Sequence, residues 1–343
     1  MRPPNAIESV CRLANLTIFS SDRNSEKGYL HPAQRWRVSR SEEKEMKENH
    51  IKISVACGLC IAVVVCQESR ATEQGTVSYP LGVNTLLGGA YPAPGVTWFE
   101  NYFQVYNANS FTNSQGNSAV PGFKATAVVD SLRFVHSWNA TLGPFGLATT
   151  ISVPVVKANV RTDFGSQNHF GVSNIALEPI DLTWSLAGGT LIGYATAITL
   201  VPTGSAVSND FYSFVPLLAA TWFPNQNLDV SLTVGAEFHT KNSSTNYQSG
   251  SLGFLEYGVD YRLFQSMPKL AIGFGGYAAK QFTDDKVNGV TFQNGMRQQV
   301  IAIGPQLTYG GPNGGVALKW QHEFSAKNRT SGDRIWLQAL IPF

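Results

Sequence analysis

Catalysis by a base and a nucleophile on an extended chain needs both side chains on one face, which means a spacing of two. His136 and Ser137 are adjacent, so they point to opposite faces. His136, His169, His239 and His322 fall on separate strands or loops, with no H-x-H or H-E-x-x-H spacing that would hold a metal. Neither a G-x-S-x-G elbow nor a phosphate-binding glycine loop occurs. The residues thus predict no enzyme and no cofactor. What remains is a set of acids and bases placed singly among apolar residues: Arg133, Asp229, Glu237, Glu256, Asp260, Arg262, Lys319, Glu323 and Arg334. Within each run they recur at even spacings, so each group shares one strand face. Glu178 and Asp181 have opposite parity, yet a bulge at Pro179, which cannot donate to a ladder, would turn both to the same side. Mixed charges on an inner face can set up a transverse field across a pore or close into ion pairs that satisfy one another. Both readings stand on these residues.

The elements that must position these charges are strands. From Gly95 to Phe343 the chain consists of short runs rich in Val, Ile, Thr, Tyr, Phe and Trp, divided by Gly/Pro/Asn/Ser clusters. Twelve runs are predicted, at 96–108, 123–138, 145–160, 173–185, 191–201, 211–223, 228–240, 251–264, 269–282, 297–309, 315–325 and 334–343. Connections alternate between short ones, such as Asn139 to Pro144, and long polar ones, such as Asn109 to Gly122, Arg161 to Val172 and Ala326 to Asp333. That asymmetry, on an even strand count, fits an all-β, twelve-stranded antiparallel up-and-down transmembrane β-barrel with its chain ends on the periplasmic side. A charge facing lipid costs about 2–4 kcal/mol at the midplane, so strand charges are expected to face the lumen.

In the run from Leu228 to His239, Leu228, Val230, Leu232, Val234, Ala236 and Phe238 alternate with Asp229, Ser231, Thr233, Gly235, Glu237 and His239. A soluble sandwich would show the same alternation with its apolar face inward. Trp98, Trp138, Trp184 and Trp222 fall at periplasmic strand ends, where an aromatic girdle belongs. The terminal Phe343, on an alternating strand, fits the signal read by the barrel-assembly machinery.

Residues 53–66 form a fourteen-residue apolar run, too short for a bilayer-crossing helix of about 20 residues. A basic stretch, Met46 to Lys52, precedes it and Ser69-Arg70-Ala71 follows, so residues 46–71 are expected to be a secretory signal cut after Ala71. A buried helix is the alternative. The polar segment 1–45 is expected to be a mis-called start or disordered. After Ala71 the chain has 272 residues with 14 Lys/Arg against 15 Asp/Glu and no cysteine. Net charge then falls from +2 to −1, which disfavours a nucleic-acid partner. Residues 72–94, Gly/Pro-rich with Leu86 and Leu87 in the middle, could plug the lumen or trail in the periplasm.

Gly82 to Gly95 (GVNTLLGGAYPAPG), Asn174 to Trp184 (NIALEPIDLTW), Pro202 to Gly204 (PTG), Phe214 to Phe223 (FVPLLAATWF), Asn246 to Gly250 (NYQSG), Gly275 to Asp284 (GGYAAKQFTD), Ala302 to Gln306 (AIGPQ) and Phe324 to Gly332 (FSAKNRTSG) together cover most of the mature chain. In order and spacing they resemble the family of outer-membrane transporters named for the meta-cleavage pathway of phenol degradation. That resemblance implies a pore for small hydrophobic or aromatic solutes in a Gram-negative outer membrane. The family is itself similar to the barrel that exports functional-amyloid subunits, a trimer, which leaves a homotrimer open. Polypeptide export or a sealed structural barrel are the competing readings. The runs 191–201 and 211–223 are apolar on both faces, so one face of each must look inward, toward the N-terminal segment or toward a solute.

Overall fold

The computed structural model describes residues 77–311 and 314–343. The expected signal sequence and the segment before it lie outside the described residues. Twelve strands make one closed antiparallel barrel. They are β1 (Thr97–Phe111), β2 (Lys124–Leu142), β3 (Phe145–Thr162), β4 (Ile175–Leu186), β5 (Leu191–Val201), β6 (Ser213–Asn225), β7 (Leu228–His239), β8 (Leu252–Tyr261), β9 (Leu270–Gln281), β10 (Gln299–Gly311), β11 (Gly314–Lys327) and β12 (Thr330–Pro342). Each pairs with its neighbour in the chain. β12 closes the barrel on β1, in a register that runs from Trp98↔Pro342 to Phe111↔Thr330. Closure of β12 on β1 leaves the barrel wall without an open edge, as a hydrocarbon solvent requires.

At one end the turns are tight. Gly143-Pro144 joins β2 to β3, a 3-10 turn at Ala187–Gly189 joins β4 to β5, and Gln226-Asn227 joins β6 to β7. At the other end lie the longer connections 112–123, 202–212, 240–251 and 282–298, the last two sharing a small sheet of Tyr247–Gln248, Lys286–Val287 and Val290–Thr291. Two expected long loops are instead hairpins. The stretch 161–172 turns at Asp163-Phe164 and returns as the strand Gly165–Val172, which pairs with β3 before β4 takes over. Likewise 326–333 shortens to a turn at Asn328-Arg329, with Asn328 in the left-handed region at φ 51°. Polar residues marked both stretches as loops, whereas outside hydrocarbon a strand hairpin carries polar side chains on both faces without penalty.

Which face is buried decides between sandwich and membrane barrel. On β7, Thr233 and Glu237 are fully buried while Leu232 is 48% exposed, and Val234 and Phe238 are exposed with it. β11 repeats this, with Lys319, Gln321 and Glu323 buried and Leu318, Trp320 and Phe324 exposed. On β12, Ile335, Leu337 and Ile341 face out. Polar residues inside and apolar residues outside is the reverse of a water-soluble sandwich and the pattern of a barrel in lipid.

Several residues depart from the sequence reading. Trp98 is 4% exposed and points inward, because it shares its strand face with Glu100 and Tyr102; Trp138 and Trp222 remain on the exterior. Asp130 and Lys157 face outward rather than into the lumen. Asp130 compensates through a 2.6 Å hydrogen bond from the Asn101 side chain of the adjoining strand.

The barrel interior as candidate functional site

The segment from Val77 to Pro94 lies inside the barrel, and the inward charges hold it there. Glu237 accepts hydrogen bonds from the backbone N–H groups of Ser78 (3.0 Å) and Tyr79 (3.3 Å). Glu256 accepts from the N–H groups of Gly82 and Asn84, the latter at 2.8 Å, and from the Tyr79 hydroxyl. Across the lumen the Lys319 ammonium donates to the carbonyls of Gly82 (2.7 Å) and Val83 (2.9 Å) and to the Thr85 hydroxyl (3.2 Å). The segment's exposed N–H groups thus meet carboxylates and its carbonyls meet an ammonium. This satisfies a non-helical, non-sheet backbone at membrane depth, where an unpaired peptide group is costly.

Its apolar side is met by apolar wall. Tyr79 and Leu81 pack among Leu217, Val215, Ile198, Tyr194 and Phe254, with the Tyr79 and Phe254 rings stacked at 4.4 Å. β5 and β6 are apolar on both faces for this reason, with Leu218 and Phe214 toward lipid and Leu217 and Val215 toward the segment.

The remaining acids and bases form three groups. Glu323 is paired with Arg329 (3.3 Å) and Arg334 (3.5 Å) and accepts from the hydroxyls of Tyr277 (2.6 Å) and Tyr106 (2.7 Å). The Arg334 guanidinium also lies over the Tyr106 ring at 4.7 Å. Near the tight-turn end, Arg262 pairs with Asp229 at 3.0 Å, and Asp260 accepts from the Gln306 amide at 2.6 Å. The third group joins Arg133 to Glu100 in a close ion pair and to Glu178 at 3.9 Å. Asp181 accepts from the Thr150 hydroxyl at 2.8 Å. The pairing of β4 slips between Leu177 and Asp181, and this bulge at Pro179 leaves Pro179 and Ile180 outside with both carboxylates inside.

All eleven residues singled out in the sequence therefore face the interior. Sequence reasoning missed Glu100, whose even spacing to Tyr102, Gln104 and Tyr106 was its signal, and Arg329, which lies in the stretch read as loop. Outside the membrane span, burial pushes the Asp285 carboxyl above its usual range, opposed by hydrogen bonds from the Tyr247 hydroxyl, the Gly250 N–H and the Gln281 amide.

Two cavities flank the inner segment. The larger, about 370 Å³, reaches from Arg329 and Arg334 down to Arg133 and Glu178 and is lined by Tyr79, Tyr106, Val129, Val156, Ile198 and Leu200 among others. The smaller, about 100 Å³, lies toward the tight turns beside Leu86, Tyr91, Trp98 and Leu340. Asn84, Tyr102, Arg133 and Tyr194 border both and so form the partition between them.

Comparison with solved structures agrees on the fold. An outer-membrane channel of Pseudomonas putida F1 is similar over 74% of this chain and 97% of its own, with 17% identity and a TM-score of 0.64. The β domain of the Bordetella autotransporter BrkA has 9% identity over 73% of this chain and 100% of its own, with a TM-score of 0.47. No curated protein matches the chain. With its lipid-facing exterior, the closed barrel is an outer-membrane protein. Residues 108–339 match one family model, and the chain belongs to that family, described as "Putative MetA-pathway of phenol degradation".

Proposed function

We propose that the protein is an outer-membrane channel that passes small apolar or aromatic molecules by facilitated diffusion, with the segment from Val77 to Pro94 as its plug. The larger cavity carries this reading. At about 370 Å³ it falls in the size range of small-molecule sites, and tyrosine rings and aliphatic side chains make up much of its wall. A passage for ions or sugars would be lined mainly by hydrogen-bonding groups. Six of the eleven interior charges then serve two ends. Glu237, Glu256 and Lys319 hold the plug, while Arg133, Glu178 and Arg334 border the route around it. Charge alone does not make this barrel selective; it positions a segment that leaves an apolar path along β1 to β5.

Uptake of labelled 4-methylphenol into vesicles with a lipopolysaccharide outer leaflet tests the proposal. Vesicles carrying the protein should fill faster than protein-free ones, and the rate should saturate with concentration. Equal rates with and without protein would refute a channel for this class.

A further inference from the structure

The partition between the two cavities gathers three carboxyl groups around one guanidinium. Glu100, Glu178 and Asp181 face one guanidinium, that of Arg133. Arg133 is engaged with Glu100, which also accepts from the Tyr102 hydroxyl at 2.7 Å. Glu178 keeps only the long contact of 3.9 Å, and its Oε2 accepts no hydrogen bond although the residue is 4% exposed. Three residues on, Asp181 is fully buried and held by the Thr150 hydroxyl, with the Thr196 and Tyr91 hydroxyls also against it. A buried carboxylate oxygen left without a donor is costly and rare in folded proteins. Here the bulge at Pro179 turns both acids inward, and Glu178 reaches the wall of the larger cavity beside the rings of Tyr102 and Tyr194.

We propose that this partition is a recognition site for ring compounds bearing a hydrogen-bond donor, hydroxyl or ammonium, and that it refuses carboxylates. The ring lies against Tyr102 and Tyr194 and the donor meets Glu178. A carboxylate in the same place would set one acceptor against another, with the Arg133 guanidinium already engaged by Glu100. This deepens the channel reading and rests on it for the route by which the solute arrives.

The test is binding to the full-length barrel in detergent, by titration calorimetry or saturation-transfer NMR, with 4-methylphenol, benzylammonium, toluene and benzoate as probes. A charge-assisted hydrogen bond predicts that both donors bind at least about tenfold more tightly than toluene or benzoate. Glu178→Gln should reduce that preference by a similar factor, with folding checked by heat-resistant gel migration. Equal binding of toluene and 4-methylphenol, or benzoate binding as well as either donor, would overturn the proposal. If Glu178→Gln fails to fold, the four probes on the unaltered protein still decide it. Donor preference in detergent without vesicle uptake would leave the site standing and sink the channel. Uptake without donor preference would do the reverse.

Discussion

Gly258 offers a way to dislodge the plug without touching a charge. It lies on the inward face of β8 between Glu256 and Asp260, opposite Gly275 of β9 and Ser231 of β7. A β-carbon there would sit 1.8 Å from the Thr85 carbonyl oxygen and 2.9 Å from Gln306 Nε2. Non-bonded atoms of this kind need roughly 3 Å, so in Gly258→Val the plug must retreat by more than about 1 Å at Thr85. That retreat breaks the Thr85 hydroxyl bond to Gln306 (3.0 Å), the Lys319 bond to the same hydroxyl (3.2 Å) and the weaker Gln306 amide bond to the Thr85 carbonyl. At about 1 kcal/mol net for each bond, docking weakens by about 3 kcal/mol, or roughly two decades in the fraction of barrels with a displaced plug. Single-channel recording in planar bilayers reads this as a matching rise in open probability. Gly253→Ala is the control, since its β-carbon would meet only the Phe282 ring at 4.0 Å. Gly258→Val recordings indistinguishable from the unaltered protein and from Gly253→Ala would refute the reasoning.

Further consequences follow from the same contacts. Lys319→Met removes three charge-assisted hydrogen bonds to the plug, leaving the Gly82 and Val83 carbonyls only the Gln321 and Gln338 amides, so it should raise open probability more than Gly258→Val does. On the lipid face, Leu232→Arg should destabilise the barrel by about 2–4 kcal/mol in denaturant titration, whereas Asp130→Leu should stabilise it. Phe343 exchanges backbone hydrogen bonds with Thr97 at 2.9 and 3.2 Å, and if the assembly machinery reads this terminus, its deletion should slow insertion in cells while refolding in detergent proceeds. Because the Asp285 carboxyl is raised in the folded protein, the folded state binds its proton more tightly than the unfolded chain does. Stability of the 240–251 and 282–298 connections should therefore fall as pH climbs from the ordinary carboxylate range to the raised value. Hydrogen-exchange protection factors in these loops, corrected for the intrinsic pH dependence of exchange, should rise on acidification, and Asp285→Asn should abolish that rise.

Strand count and inward charge were legible because a barrel in lipid imposes a period of two on nearly every strand. Asp229 and Glu237 on β7, or Lys319 and Glu323 on β11, betray their face by parity alone. Even Glu178 and Asp181, which break parity, could be placed once Pro179 was recognised as unable to continue the ladder. Strand ends in water were harder to read, since nothing there enforces alternation. This is why the hairpins at Asp163-Phe164 and Asn328-Arg329 looked like loops and why Arg329 went unnoticed. Trp98 was misplaced because position along a strand was given more weight than its even spacing to Glu100. What fills the lumen was not legible at all. The bonds that hold the plug join residues up to 255 positions apart, as between Gln338 and Val83, and no local pattern in either segment announces the other.

The most direct test is the single-channel conductance of the full barrel against that of the same barrel lacking residues 77–94, each shown to be folded. A plug that closes the lumen predicts a full barrel that is mostly closed and a shortened one that conducts steadily. A shortened barrel that folds, inserts and still passes no current would contradict it.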